Sequence, residues 1–278
     1  MCPAKPGMQG PLIFEGKMRI LVTNDDGVDA PGLLALKRAM DDLGETLVVA
    51  PEHNWSAAGH RKTMHKPLRL AQVRLDDGTP AYAASGSPSD CVALVVLGAL
   101  RALGARPDLV VSGINTNPNL GQDMTYSGTV TAAMEGMISG VSSFAVSTHT
   151  REAARRGVTE PFAVAAEFAA VVARKVIAEG LPAGVLLNVN VPGLAQADIK
   201  GVQVTRMCRR IYRDELVERA DPRGKPYYWI GGEEPTAEPD EGTDFWALAH
   251  GYVSVTPLHL DLTAFAQLEL VQSWALHW

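Results

Sequence analysis

The chain has 278 residues, with 25 Lys and Arg against 31 Asp and Glu for a net charge of −6, and 46% of its residues are hydrophobic. That length accommodates one large α/β domain, or a domain plus an arm, with a substantial core. The acidic balance excludes the basic face that a nucleic-acid polymer needs, and fits a small anionic ligand held by local positive charge or by a metal.

Residues 1–17 are rich in Pro and Gly without periodicity, and Met18 stands directly before the first apolar run, so 1–17 reads as a disordered extension. Arg19 to Val22 is a short strand, Gly27 closes the turn behind it, and Pro31 presets the first turn of a helix carrying Leu33, Leu36, Met40 and Leu43. In an open α/β sheet, ligands bind beyond the carboxyl ends of the strands, where Asp25 and Asp26 stand side by side with no Lys or Arg in the turn. Two readings remain open from this stretch alone: an ordinary solvated Asp-Asp-Gly turn, or a pair of oxygen ligands for a hard divalent cation.

A second strand, Leu47 to Ala50, leads through Pro51 into the loop 52–66, which holds Asn54, Ser56, His53, His60, His65, Arg61 and Lys62. At the end of a parallel strand these groups face the same crevice, although a polar surface loop has the same composition. Leu68 to Val73 and Ala81 to Ala84 flank an Asp-Asp-Gly turn as an accessory hairpin. Ser87-Pro88-Ser89-Asp90 is a helix start, with Ser87 as cap and Asp90 at the third position, ahead of an apolar helix from Cys91 to Leu103.

The strand Asp108 to Ser112 opens a long loop with three asparagines, Asn115, Asn117 and Asn119, and Ser127 caps the helix that follows. Free amides at that helix start, with the hydroxyls of Ser127 and Thr129 around Gly128, suit a phosphate; a plain capped helix is the alternative. Phe144 to Thr148 is a strand, Pro161 to Glu179 a helix and Val185 to Val191 a further strand, and this alternation predicts a mainly parallel sheet. From about 201 the character changes to a β-rich arm: Val202 to Thr205, Tyr227 to Ile230, an acidic linker from Glu233 to Asp244, and a returning strand at Tyr252 to Thr256. A terminal helix around Phe265 to Trp278 places Phe265, Leu268, Val271 and Ala275 on one face, which requires a partner surface in its own subunit or in another.

No G-x-G-x-x-G follows the first strand, and neither a P-loop nor a G-x-S-x-G elbow occurs. A dehalogenase-type phosphatase pattern puts Asn24 where its nucleophilic aspartate belongs, and an amide cannot form the aspartyl-phosphate. Cys2, Cys91 and Cys208 lack metal or redox spacing and read as reduced thiols. No apolar run reaches the ~18 residues that span a bilayer, and the first residues lack a secretory signal's pattern, so a cytoplasmic chain without a membrane partner is expected.

The ordered set of motifs resembles the survival protein E (SurE) family of metal-dependent nucleotidases. It comprises Arg19 to Gly27 with Ala30-Pro31-Gly32, Ala50-Pro51 leading to Asn54 and Ser56, Val111 to Asn115, Asn119-Leu120-Gly121, Tyr126 to Val130, Ala132 to Gly136, Gly251 to Leu258, and Asp261-Leu262-Thr263. The resemblance implies one Mg²⁺ or Mn²⁺ per subunit held by Asp25, Asp26, Ser56 and Asn115, with Asp25, Asp26 and Asn115 catalytic. It further implies phosphate contacts from Asn119, Ser127, Gly128 and Thr129. A Rossmann-like core with helices on both faces is implied over 18–200, and 201–278 as an oligomerisation arm that exchanges between subunits in a homodimer or homotetramer. Two departures are present: Asn117 replaces the usual glycine, and the serine loop reads Trp55-Ser56-Ala57-Ala58-Gly59-His60.

The function expected is a phosphomonoesterase releasing nucleoside and phosphate from nucleoside monophosphates, as a 5′-nucleotidase with 3′ activity left open, by attack of a metal-activated water. His60 is a candidate acceptor for the water's proton, with a structural or solvent-facing role as the alternative. The rival expectation is a non-catalytic nucleotide-binding or stress-protective module in the same crevice.

Overall fold

The computed structural model describes residues 17–100 and 106–276. Most of the expected extension 1–17, the segment 101–103 of the expected apolar helix, His277 and Trp278 lie outside the described residues, as does Cys2; Cys91 and Cys208 are free and buried.

The first half builds the crevice. Strand β1 (Arg19–Thr23) alternates Ile20 and Val22 toward one face with Leu21 toward the other, the period-2 pattern of a strand covered on both sides. Helix α1 (Pro31–Asp41) starts on Pro31 and buries Leu33, Leu36 and Met40. Its second residue must be small, because a Cβ on Gly32 would stand 2.2 Å from the Ile114 carbonyl oxygen. Then come β2 (Glu45–Pro51), β3 (Leu70–Arg74) and β4 (Pro80–Ala84). The expected hairpin forms, and it is built into the sheet: β3 pairs antiparallel with β4, which adds in parallel to β2.

Helix α2 (Pro88–Val96) opens on Ser87 with both reciprocal bonds of a capping box to Asp90. It stops at Val96, short of the predicted Leu103, because Gly98 turns at φ +92° and its N–H reaches back to the Val95 carbonyl. Next follow β5 (Leu109–Asn115), a 3₁₀ turn over Gly121–Thr125, α3 (Gly128–Ile138), β6 (Ser142–Thr148), the short α4 (Thr150–Arg155), α5 (Pro161–Glu179) and β7 (Leu186–Val191). The C-terminal part adds β8 (Val202–Val204), β9 (Arg210–Ile211), β10 (Asp214–Ala220), β11 (Pro226–Gly232), β12 (Thr236–Ala237), α6 (Asp244–Ala249), β13 (Val253–Leu258) and α7 (Leu268–Gln272).

Among the described residues nine strands form one sheet in the order β3-β4-β2-β1-β5-β6-β7-β13-β8. The run from β4 to β7 is parallel, β13 returns antiparallel to β7, and β8 pairs in parallel with β13. On one face α1 and α5 pack Leu33, Leu36, Met40, Ala169 and Ala173 over Ile20, Val111 and Phe144. On the other, α2 and α3 place Cys91, Val92 and Ala132 over Leu21, Val49 and Val110. This is a Rossmann-like α/β fold, and its order reverses at β1, flanked by β2 and β5, which makes the crevice above β1 and β5 the topological switch point.

The sequence placed the arm from about 201, yet β8 and β13 belong to the main sheet. What stands apart is the hairpin β10/β11 and the two-residue pair β9/β12. The expected terminal helix is reduced to a 3₁₀ turn over Phe265–Gln267 and the five-residue α7. Among the described residues no helix is long and apolar enough to cross a membrane.

Candidate active site

The turn after β1 is closed by Asn24 from both sides: its Nδ2 donates to the Gly27 carbonyl at 2.9 Å, and its Oδ1 accepts the Gly27 amide at 3.2 Å. Asn24 thus shapes the turn, and Gly27 supplies the φ of +109° that the turn needs. The Val28 amide donates to Pro51 O at 2.9 Å, tying the turn to the end of β2.

Asp25 is 3% exposed and lies under the first turn of α3. Its carboxylate accepts the Thr129 hydroxyl, and the backbone N–H groups at the start of α3 act to lower its pKa. A helix N-terminus suits an anion, through its unpaired amides and its dipole. Burial nevertheless dominates and raises the pKa of Asp25, the hydrogen bonds opposing it. Glycine is required at 128, since a Cβ there would stand 2.6 Å from the Asp25 Cβ and 2.9 Å from its Oδ2.

Asp26 is less buried. Loss of solvent and then the neighbouring Asp25 charge push its pKa up to about 6, against a hydrogen bond from Asn54. Among the described residues, no Lys, Arg or His side chain stands among the causes of either shift. The Asn54 side chain bridges two parts of the site: Nδ2 donates to Asp26 Oδ1 at 3.2 Å, while Oδ1 accepts the Ser56 amide at 2.7 Å. The Trp55 amide donates to the Asp25 carbonyl at 2.7 Å. Ser56 is therefore held one residue beyond two direct ties to the acidic pair, and is exposed. In the sequence Asn54 appears in the polar loop and among the motif residues of the resemblance, with no role assigned to it; its Asn-x-Ser spacing, which allows an Asx turn, was the available signal for the role it plays.

Asn115 ends β5, next to β1 in the sheet, and its Nδ2 donates to Asn117 O at 2.7 Å, which leaves its side-chain oxygen as an acceptor. Asn119 is 7% exposed and is drawn into the sheet end: Nδ2 donates to Ser147 Oγ at 2.8 Å, its amide to Asn190 Oδ1 at 2.8 Å, and its carbonyl accepts from Asn188 and Asn190. Ser127 caps α3 by accepting the Val130 amide at 3.1 Å. The helix start thus already engages Asp25 through Gly128 and Thr129. His60 does not stand alone: its Nε2 is 3.2 Å from Glu135.

Asp26 opens onto a pocket of about 430 Å³ that is also lined by His53, Asn54, Thr116 and Phe162. A larger cavity, about 1060 Å³, is lined by Asn117, Asp123 and Arg210 among others and by neither Asp25 nor Asp26. The chemistry favours the smaller pocket, because Asp26 lines it directly.

A Rossmann-like sheet with buried, oxygen-rich acidic groups at its switch point defines the class. The family model for survival protein SurE matches residues 20–214. The chain belongs to the SurE family. It is 53% identical over 246 residues to a protein named 5′-nucleotidase SurE from Herpetosiphon aurantiacus, covering 88% of this chain and 94% of that protein. It is 51% identical over 254 residues to 5′-nucleotidase SurE 1 from Thermus thermophilus, covering 91% and 96%. A crystal structure of the SurE protein from Aquifex aeolicus superposes with a TM-score of 0.78 at 43% identity, over 92% of this chain and 99% of that one.

The raised pKa of Asp26 has a consequence for stability. A carboxyl whose folded pKa, about 6, exceeds its ordinary 3.8 favours the folded state below 3.8, and that contribution is lost as pH rises through about 6. In chelator, Asp26→Asn is therefore expected to gain melting temperature relative to wild type as pH rises from 4 to 7. Thermal melts of both proteins across that range check it; a difference that stays constant with pH refutes it.

Proposed function

We propose that this chain is a divalent-metal-dependent 5′-nucleotidase that hydrolyses nucleoside monophosphates to nucleoside and phosphate. The relatives' names support the activity, and the observation that supports the metal is the acidic pair, with both pKa values raised and, among the described residues, no cationic side chain among the causes of either shift. Like charges held out of water are relieved by a cation. The proposed ligands Asp25, Asp26, Ser56 and Asn115 are all hard oxygens, a donor set suited to one Mg²⁺ or Mn²⁺ rather than zinc. When bound, such a cation supplies a Lewis acid for the phosphoryl oxygens and lowers the pKa of an attacking water.

The chain's own groups would receive the phosphate. Ser127 keeps its hydroxyl hydrogen after capping α3, and Asn119 keeps its side-chain oxygen and one amide hydrogen after its bond to Ser147. Thr129 donates its hydroxyl to Asp25, so its proposed part, with Gly128, is to fix that carboxylate and present the helix start. Asn54, by holding Ser56 and Asp26 together, keeps the ligand set aligned.

We further propose assembly into a homodimer or homotetramer with exchange of the C-terminal segment. Leu262, Phe265, Trp274 and Leu276 are all exposed, Leu262 at 91% and Leu276 at 77%. The hairpin β10/β11 exposes Tyr228, Trp229 and Ile230, the last at 82%. Apolar surface on this scale marks an association face, and closed two-fold association with an exchanged terminus is an economical way to cover it.

Phosphate release from AMP is expected with Mn²⁺ and not with chelator, and Asp25→Asn is expected to lower kcat/KM on the order of 100-fold or more. Equal rates with metal and with chelator overturn the metal reading. In sedimentation equilibrium the full chain should be at least a dimer at micromolar concentration, and a truncation after Asp261 should lose assembly and solubility. A full chain that stays monomeric refutes the assembly.

A further inference from the structure

The loop 52–66 carries Asn54 and Ser56, yet none of its residues is buried. Apolar packing does not hold it, so its position rests on polar ties. One set lies at its start, where Asn54 and Trp55 bond to Asp26 and Asp25. The second lies at 59–63. Gly59 donates to Tyr126 O at 2.9 Å and accepts the Thr131 hydroxyl at 3.3 Å, and Thr63 bonds to Asp90 at 2.8 and 2.7 Å. Within the second stretch Glu135 adds its own ties: its side chain, 5% exposed, has Lys62 Nζ at 2.8 Å and His60 Nε2 at 3.2 Å.

Glu135 lies two helical turns along α3 from Gly128, so one helix both covers Asp25 with its first residues and grips the loop further along. A buried carboxylate is tolerated only when paired and hydrogen-bonded. Burial works against the charge of Glu135, but the bonds from His60 and Lys62 prevail and hold its pKa below the ordinary carboxylate value. Ser56, Ala57 and Ala58 span the gap between the two anchored stretches, with Ala57 turned at φ +58°.

We infer that Glu135 is a positioning residue: through His60 and Lys62 it fixes the far end of this loop on α3, and so sets the place of Ser56 beside Asp25 and Asp26. The inference rests on the metal reading for its functional meaning, and on the loop geometry for its physical content. It assigns His60 to the latch.

Hydrogen exchange on the metal-free full chain tests the geometry. Glu135→Gln should speed exchange of peptides within 54–63 by ~10-fold or more while β1, β5 and β6 keep their protection. His60→Gln with Lys62→Met, both on the loop side, should do the same if Glu135→Gln fails to fold, and Lys62→Arg should retain protection. Mn²⁺ titrated calorimetrically should bind Glu135→Gln ~10-fold more weakly, as expected for loss of a group that orients ligands, with a matching fall in kcat/KM for AMP. Unchanged exchange in 54–63, or exchange accelerated evenly across the chain, overturns the inference. A wild-type chain that neither binds Mn²⁺ nor releases phosphate overturns the nucleotidase reading instead, and the exchange result still decides the latch.

Discussion

The structure depends on one buried carboxylate seated under the start of one helix. At Asp25 the chain places a negative charge where water is excluded, and the first turn of α3 answers it with the Thr129 hydroxyl and the nearby backbone N–H groups. The answer is incomplete, since burial still raises the pKa. Asp26 follows directly, its pKa also raised by burial and by the Asp25 charge, and it lines the adjoining pocket. Two carboxylates raised in pKa at the switch point of a parallel sheet are what support the proposed reading of a hard cation and a phosphate.

Close approach is what makes that seat possible. Gly128 admits Asp25 and Gly32 admits the Ile114 carbonyl, so both helices flanking the crevice begin against backbone or carboxylate with no Cβ between. The long loop after β5 is then held from below by the amides of Asn188 and Asn190 at the end of β7, both reaching Asn119. It is held from the side by Asp244, which is fully buried and accepts the amides of Gly121 and Cys208. Arg210 on β9 adds an ion pair to Asp123 at 2.8 Å, and Tyr212 a hydrogen bond to the same carboxylate at 2.6 Å. The segment that leads into the exposed hairpin is thus fastened to the loop that carries Asn115 and Asn119, and assembly through that hairpin would act on the same rigid frame.

Much of this was determined by the sequence alone. The strand-turn-helix around Asp25 and Asp26, the capping box of Ser87 and Asp90, the Ser127 cap and the helix from Pro161 to Glu179 all depend on residues within a turn or two of each other, and they stand where periodicity and capping placed them. The misjudged ends follow the same logic. Gly98 was a local stop signal within an apolar run, and Thr243, which caps α6 by accepting the Trp246 amide, was a local start signal inside what read as an acidic linker. Only the tertiary structure decided that Thr129 meets Asp25 across 104 residues, that Lys62 and His60 meet Glu135 across 73 and 75, and that Asn54 spans 28 residues to Asp26. The physical reason is that periodicity and capping are properties of neighbouring backbone, whereas the compensation of a buried charge depends on which distant donors the packing of helices against the sheet brings within reach.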